Sequence, residues 1–155
     1  MINRRSVIQI VCAVLVANAA VAGVYQKTLV NSDSQGVILH GYDPVAYFTE
    51  NKAVKGDEKY KATYKGSVFH FASNKNKKLF EKDPVKYIPQ YGGYCAMAVA
   101  MGQLEDADPN MFVVHDGKLL VQRNEKAHQM FMTNPGGFHQ KADEQWPKLV
   151  EKNGK

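Results

Sequence analysis

The chain has 155 residues, a formal net charge of +5 and two cysteines. That length holds one ordinary domain and little else. The small positive excess, part of it in Lys148, Lys152 and Lys155, reads as a solubility charge and not as a nucleic-acid footprint.

Residues 1–22 read as a targeting segment. Arg4 and Arg5 form a charged start, Val7 to Ala17 is apolar apart from Gln9, and Ala20-Val21-Ala22 is a small-x-small cleavage site. The paired arginines loosely resemble a twin-arginine signal. The apolar run is shorter than the roughly 20 residues a span requires. Cleavage after Ala22 is therefore expected, giving a periplasmic or secreted protein with no stable membrane span. Cys12 leaves with the segment, so Cys95 is alone in the mature chain and no intramolecular disulfide can form.

Residues 23–36 read as a linker or loosely ordered arm, residues 37–150 as the domain and residues 151–155 as a tail. Val37-Ile38-Leu39 is an expected short strand, and Asp43-Pro44 opens a helical turn through Phe48. Tyr60–Tyr64 and Ser67–Phe71 flank Lys65-Gly66 as a hairpin. Its register puts Tyr60, Ala62, Tyr64, Phe69 and Phe71 on one face and His70 opposite Lys61 on the other. Ser73 caps a helix to about Lys82, with Leu79 and Phe80 turned inward. Asp83-Pro84 starts a further turn that Pro89 ends, and Gly92-Gly93 breaks the chain before a helix over Tyr94–Met101. Met111–His115 and Lys118–Gln122 form a second hairpin around Asp116-Gly117, with Phe112, Val114, Leu119 and Val121 on one face. A last helix is expected over Ala142–Val150, interrupted at Pro147. The sum is a small single α+β domain of short antiparallel β-hairpins with a few short helices.

Three stretches carry a family resemblance: Gly41-Tyr42-Asp43-Pro44-Val45-Ala46-Tyr47-Phe48, Phe69-His70-Phe71-Ala72-Ser73, and Pro89-Gln90-Tyr91-Gly92-Gly93-Tyr94-Cys95-Ala96. Together they resemble the exported, single-domain members of the YHS-domain family, over roughly Val37 to Leu149. Asp108-Pro109, Asp116-Gly117-Lys118-Leu119 and Ala142-Asp143 through Trp146-Pro147 fit the same pattern. The resemblance implies an association with metal handling. Metal-type members carry Phe-Cys-Ser-x-x-Cys after the Tyr-His element; here the two thiol positions are Ala72 and Asn76.

Chemistry then concentrates on Cys95. In the first turn of a helix its thiol would meet unsatisfied amides that favour a thiolate, whereas behind a tight Gly-Gly turn it would be a small buried hydrophobe. Met97 and Met101 would add thioethers, a donor set suited to copper(I), and His70 is a further candidate ligand. On a regular helix Met97 and Met101 share a face while Cys95 points elsewhere. Tyr42, Asp43, Tyr91 and Tyr94, around the two longer motifs, are candidate lining for a small-ligand pocket. His40, His115, His128 and His139 show no His-x-His or His-x-x-x-His spacing, so a preformed zinc site has no support in the pattern. Asp106 and Asp108 offer too few oxygens for calcium. The leading expectation is an exported binding module for a soft metal ion such as copper, held by Cys95, Met97, Met101 and His70. The alternative is a non-catalytic structural or protein-interaction domain with a buried, inert cysteine, and the expected partner is a metal ion or a periplasmic protein. A third reading, a thiol-dependent enzyme, needs Cys95 to meet a base such as His70 or His115.

Overall fold

The structure, a computed structural model, describes residues 27–155. The expected targeting segment, with Cys12 and its cleavage site, lies outside the described residues. The chain forms α1 (Ala46–Thr49), β1 (Asp57–Tyr64), β2 (Ser67–Phe71), α2 (Asn74–Lys82), α3 (Pro84–Tyr87), α4 (Ala96–Ala100), β3 (Asp108–His115), β4 (Lys118–Gln122), α5 (Glu125–Met132) and α6 (Pro135–Asn153). This is the expected α+β class, with two separate antiparallel hairpins. No helix among the described residues is long and apolar enough to cross a membrane.

Local sequence explains most boundaries. Ser73 Oγ accepts the amide of Asn76 at 3.1 Å and opens α2. Asp83, followed by Pro84 at the first helical position, does the same for α3. Lys61 pairs with His70 and Ala62 with Phe69 across the first hairpin, as the turn predicts. The result is an aromatic nest: Phe69 and Phe71 approach the Phe80 ring at 4.7 and 5.1 Å, and Tyr64 closes it at 6.2 Å. Burying a ring of this size contributes about 1.5–3 kcal/mol.

Three expectations are corrected. Val37 and Ile38 make only isolated bridges, to Val68 and Ser32, and the chain then turns through a single 3-10 turn at Leu39–Gly41. A short apolar run without a long partner edge does not extend into a strand. The last helix starts at Pro135, capped by Asn134, and runs 19 residues straight through Pro147 to Asn153, so most of the expected tail is its final turn. Packing along α4 holds it together despite the missing Pro147 donor. The stretch before it, to which the sequence pattern assigns no element, contains α5, capped by Asn124.

The second hairpin organises the interior. Leu119, Leu120, Val121 and Gln122 of β4 are all fully buried, because the strand is covered on both faces. Leu119 and Val121 join one core cluster with Phe69, Phe71, Phe80, Tyr47 and Val45. Leu120 joins another with Cys95, Val99, Phe131, Ala142 and Leu149. Gln122 shares the Leu120 face by strand alternation, which brings its amide to the start of α4. The arm residues cross the second cluster closely. Asn31 donates its amide to the Gly92 carbonyl at 2.9 Å, and a Cβ on Gly92, at φ +59°, would lie 2.2 Å from the Leu29 carbonyl oxygen. Thr28 and Lys155 exchange a reciprocal pair of backbone hydrogen bonds at 2.9 and 3.0 Å.

Candidate functional site

Asp43 sits just before α1 and is fully buried. Its Oδ1 accepts the Val45 amide at 2.8 Å, and its Oδ2 accepts the Ala72 amide at 2.8 Å and Asn76 Nδ2 at 2.7 Å. One carboxylate thus ties the first helical turn to the end of β2 and the start of α2. Both carboxylate oxygens are engaged by the protein's own donors, which makes this residue a joint and not a free ligand. Nor do the other members of the expected pocket converge on it. Tyr42 packs against the first cluster beneath Lys55, while Tyr91 and Tyr94 pack against the second. The four side chains belong to different walls of the molecule, so they enclose no common cavity.

Cys95 is the residue before α4, with φ −57° and ψ 114°, outside helical geometry. Its thiol is fully buried and accepts the Ala98 amide at 3.5 Å. It donates to Gln122 Oε1 at 3.6 Å, and that oxygen also accepts the Met97 amide at 3.0 Å. The Met97 amide fixes the orientation of the Gln122 side chain and leaves its Nε2 buried without a partner. Because Cys95 is a cap and not a helical residue, the helical separation expected between it and the methionines does not apply. Cys95, Met97 and Met101 line one cavity of about 130 Å³, together with Met130 of α5 and the Glu105–Arg123 ion pair. Met97 is buried at its inner wall, and Met101, at 61 % exposure, stands at its mouth. The sequence missed Met130, because only the unrecognised α5 carries it there.

His70 does not join this set. It lies on β2, with its Nδ1 3.1 Å from where a Cβ of Gly41 would stand, and its field reaches Asp33 and Asp57. Both carboxyls are held below their ordinary pKa mainly by backbone hydrogen bonds, with His70 adding a smaller effect. No histidine lines the Cys95 cavity, so the general base a thiol-dependent enzyme requires is not beside the thiol.

Two histidines meet elsewhere, against the expectation from their spacing. His115 ends β3, and His139 projects from the first turns of α6; their Nδ1 atoms lie 3.2 Å apart. Asp116 Oδ2 is 3.4 Å from His115 Nδ1. His139 is 6 % exposed, and burial holds its imidazole below the ordinary pKa. Asp143 pulls the other way, while Lys118 and His115 add to the depression. Behind it, Asp143 Oδ2 is 4.0 Å from His139 Nε2, and Asp143 Oδ1 accepts the Tyr91 hydroxyl at 2.8 Å. Burial and that hydrogen bond push the Tyr91 phenol well above its usual pKa.

A family model described as the YHS domain matches residues 45–91. The chain is a YHS domain-containing protein. Neither a curated protein nor a solved structure matches it. The YHS match spans α1 to α3 and both strands of the first hairpin, and it ends four residues before Cys95. The family is associated with metal binding, which makes the fit of this chain's residues the deciding matter. At the YHS thiol positions stand Ala72, whose amide is bound to Asp43, and Asn76, whose side chain is bound to the same carboxylate. Hydrogen bonds occupy the place where thiolates would gather, so a cysteine-based metal site does not fit there. The donor set that suits a soft ion lies outside the matched stretch, around Cys95.

Proposed function

We propose that the protein is an exported module that binds a soft monovalent metal ion, copper(I), in the Cys95 cavity. The observation that carries this reading is that Cys95, Met97, Met101 and Met130, four sulfur-bearing residues, line a single cavity of about 130 Å³. Sulfur donors of this kind favour copper(I) over harder ions. Bound copper would supply a closed-shell cation that replaces the thiol proton of Cys95. Around it, the Ala98 amide would go on donating to the sulfur, Gln122 Oε1 would give up the thiol proton it accepts, and the Glu105–Arg123 pair lines the same cavity. Met101, exposed at the mouth, closes or opens access by rotamer change, as a flexible thioether can. Removal of residues 1–22 would release this module into the periplasm or medium.

Copper(I) titration against a competing chelator tests the reading. Cys95→Ser is expected to weaken binding by roughly tenfold or more, and Met101→Leu by less, with unchanged circular dichroism in both. Equal affinity in wild type and Cys95→Ser would overturn it. A second reading has its own support: Cys95 is fully buried with its thiol hydrogen-bonded on both sides, as in a structural domain whose partner is another protein. On that reading the native thiol reacts with a disulfide reagent only as fast as the chain unfolds. Copper(I) binding slows that reaction further only if the first reading holds.

A further inference from the structure

His115, Asp116 and His139 bring three ligand atoms within 4.8 Å of one another, from the end of β3, the hairpin turn and the first turns of α6. Two nitrogens sharing a tetrahedral zinc ion at about 2.0–2.1 Å each stand roughly 3.3 Å apart. The Nδ1–Nδ1 separation here is 3.2 Å. We propose that these three residues form a second metal site, for a borderline divalent ion of the zinc(II) class, separate from the thiol cavity.

Several independent features converge on it. His139 is buried, and its Nε2 has no hydrogen-bond partner. An unpartnered nitrogen of this kind costs about 1–3 kcal/mol unless something organises the ring. Asp143 Oδ2 stands 4.0 Å from that nitrogen, four residues on along the same helix, and Tyr91 anchors the other carboxylate oxygen at 2.8 Å. With Nδ1 on a metal, Nε2 carries the proton and needs a carboxylate behind it, the usual outer partner of a metal-bound imidazole. A shift of about one ångström completes that bond, within the reach of a side-chain rotation. The other two ligands face outward: the His115 side chain is 26 % exposed and that of Asp116 77 %. An ion can therefore enter from solvent, and three protein donors leave a fourth position for water. Lys118, across the turn from His115, is the one cation whose field reaches His139 among the described residues. Its ammonium opposes a divalent ion, and the Asp116 carboxylate offsets it.

Zinc(II) titration of the protein purified from cells expressing the full chain, carrying Cys95→Ser, isolates this site from the thiol. Calorimetry is expected to show one equivalent bound, with the ring-proton resonances of His115 and His139 shifting together. His115→Ala should weaken binding by roughly an order of magnitude or more, and Asp116→Asn by a smaller factor. The His115 side chain is partly exposed and that of Asp116 lies on the surface, and asparagine accepts the positive φ of 51° that Asp116 adopts, so folding is kept. Absence of one-equivalent binding, or equal zinc affinity in His115→Ala, would overturn the proposal and reduce the pair to an imidazole–imidazole hydrogen bond. Loss of copper(I) binding in Cys95→Ser with zinc binding retained separates this site from the soft-ion cavity.

Discussion

Asp43 and His139 are both buried ionisable side chains, and the protein treats them in opposite ways. Three donors from three segments engage both carboxylate oxygens of Asp43, and neither oxygen is left without a partner. His139 keeps one nitrogen unpartnered and aims the other at a second imidazole 3.2 Å away. The contrast separates architecture from function more sharply than burial does. A polar group whose hydrogen bonds are complete is a joint, whereas an incomplete one marks where chemistry can be added. Asp43 stands two residues before the YHS match and ties Val45, Ala72 and Asn76 inside it together, while the two proposed donor sets lie beyond its end.

The largest effect should come from breaking the joint. Asp43→Ala leaves two amides and the Asn76 side chain without their acceptor, and should cost about 3 kcal/mol or more, read from urea midpoints at neutral pH. A loss below about 1 kcal/mol would mean that the three segments do not depend on the carboxylate. An intermediate effect is expected in alkali. Burial holds the phenols of Tyr47 and Tyr91 above their ordinary pKa, with the Asp143 hydrogen bond adding to the shift of Tyr91. The unfolded chain loses these protons from about pH 10 while the folded chain keeps them, so stability falls as pH rises past that point. Urea midpoints between pH 9 and about 11 should drop less steeply in Tyr47→Phe than in wild type; parallel curves would remove the buried phenol as the cause. The smallest effect tests the incomplete group. His139→Leu removes an unpartnered nitrogen together with the hydrogen bond to His115, so the two effects offset and stability should stay within about 1 kcal/mol of wild type. A cost comparable to that of Asp43→Ala would erase the distinction between the two regions.

What the sequence revealed follows the reach of the interactions involved. Both hairpins were readable because Lys65-Gly66 and Asp116-Gly117 fix register within a few residues of the strands they join. The helix at Cys95 was readable from its alanines, and three of the four sulfur atoms were in view because they lie within seven positions. Pro147 suggested a break in α6 that packing against α4 overrides, and the first turns of the helix, which hold Gly136-Gly137, were assigned no element. Yet Asn134-Pro135 repeats the cap-and-proline device of Asp83-Pro84, a local signal that would have found the helix start. No such signal exists for His115 and His139. They are 24 positions apart and meet only because the fold brings the end of β3 beside the first turns of α6. The Asp43 network had the same character: its motif was plain, but its partners at Ala72 and Asn76 belong to the next hairpin and helix.

The paired hydrogen bonds between Thr28 and Lys155 make the described chain almost a closed ring. Once the proposed cleavage after Ala22 leaves the new start a few residues from Thr28, such a backbone can be opened elsewhere with little change in what each residue meets. The exposed Lys65-Gly66 turn, distant in sequence from both donor sets, is the natural place to cut. In a permuted chain the order of synthesis would change and the hairpin nearest the new ends would become the last to close, while both donor clusters stayed inside one uninterrupted stretch.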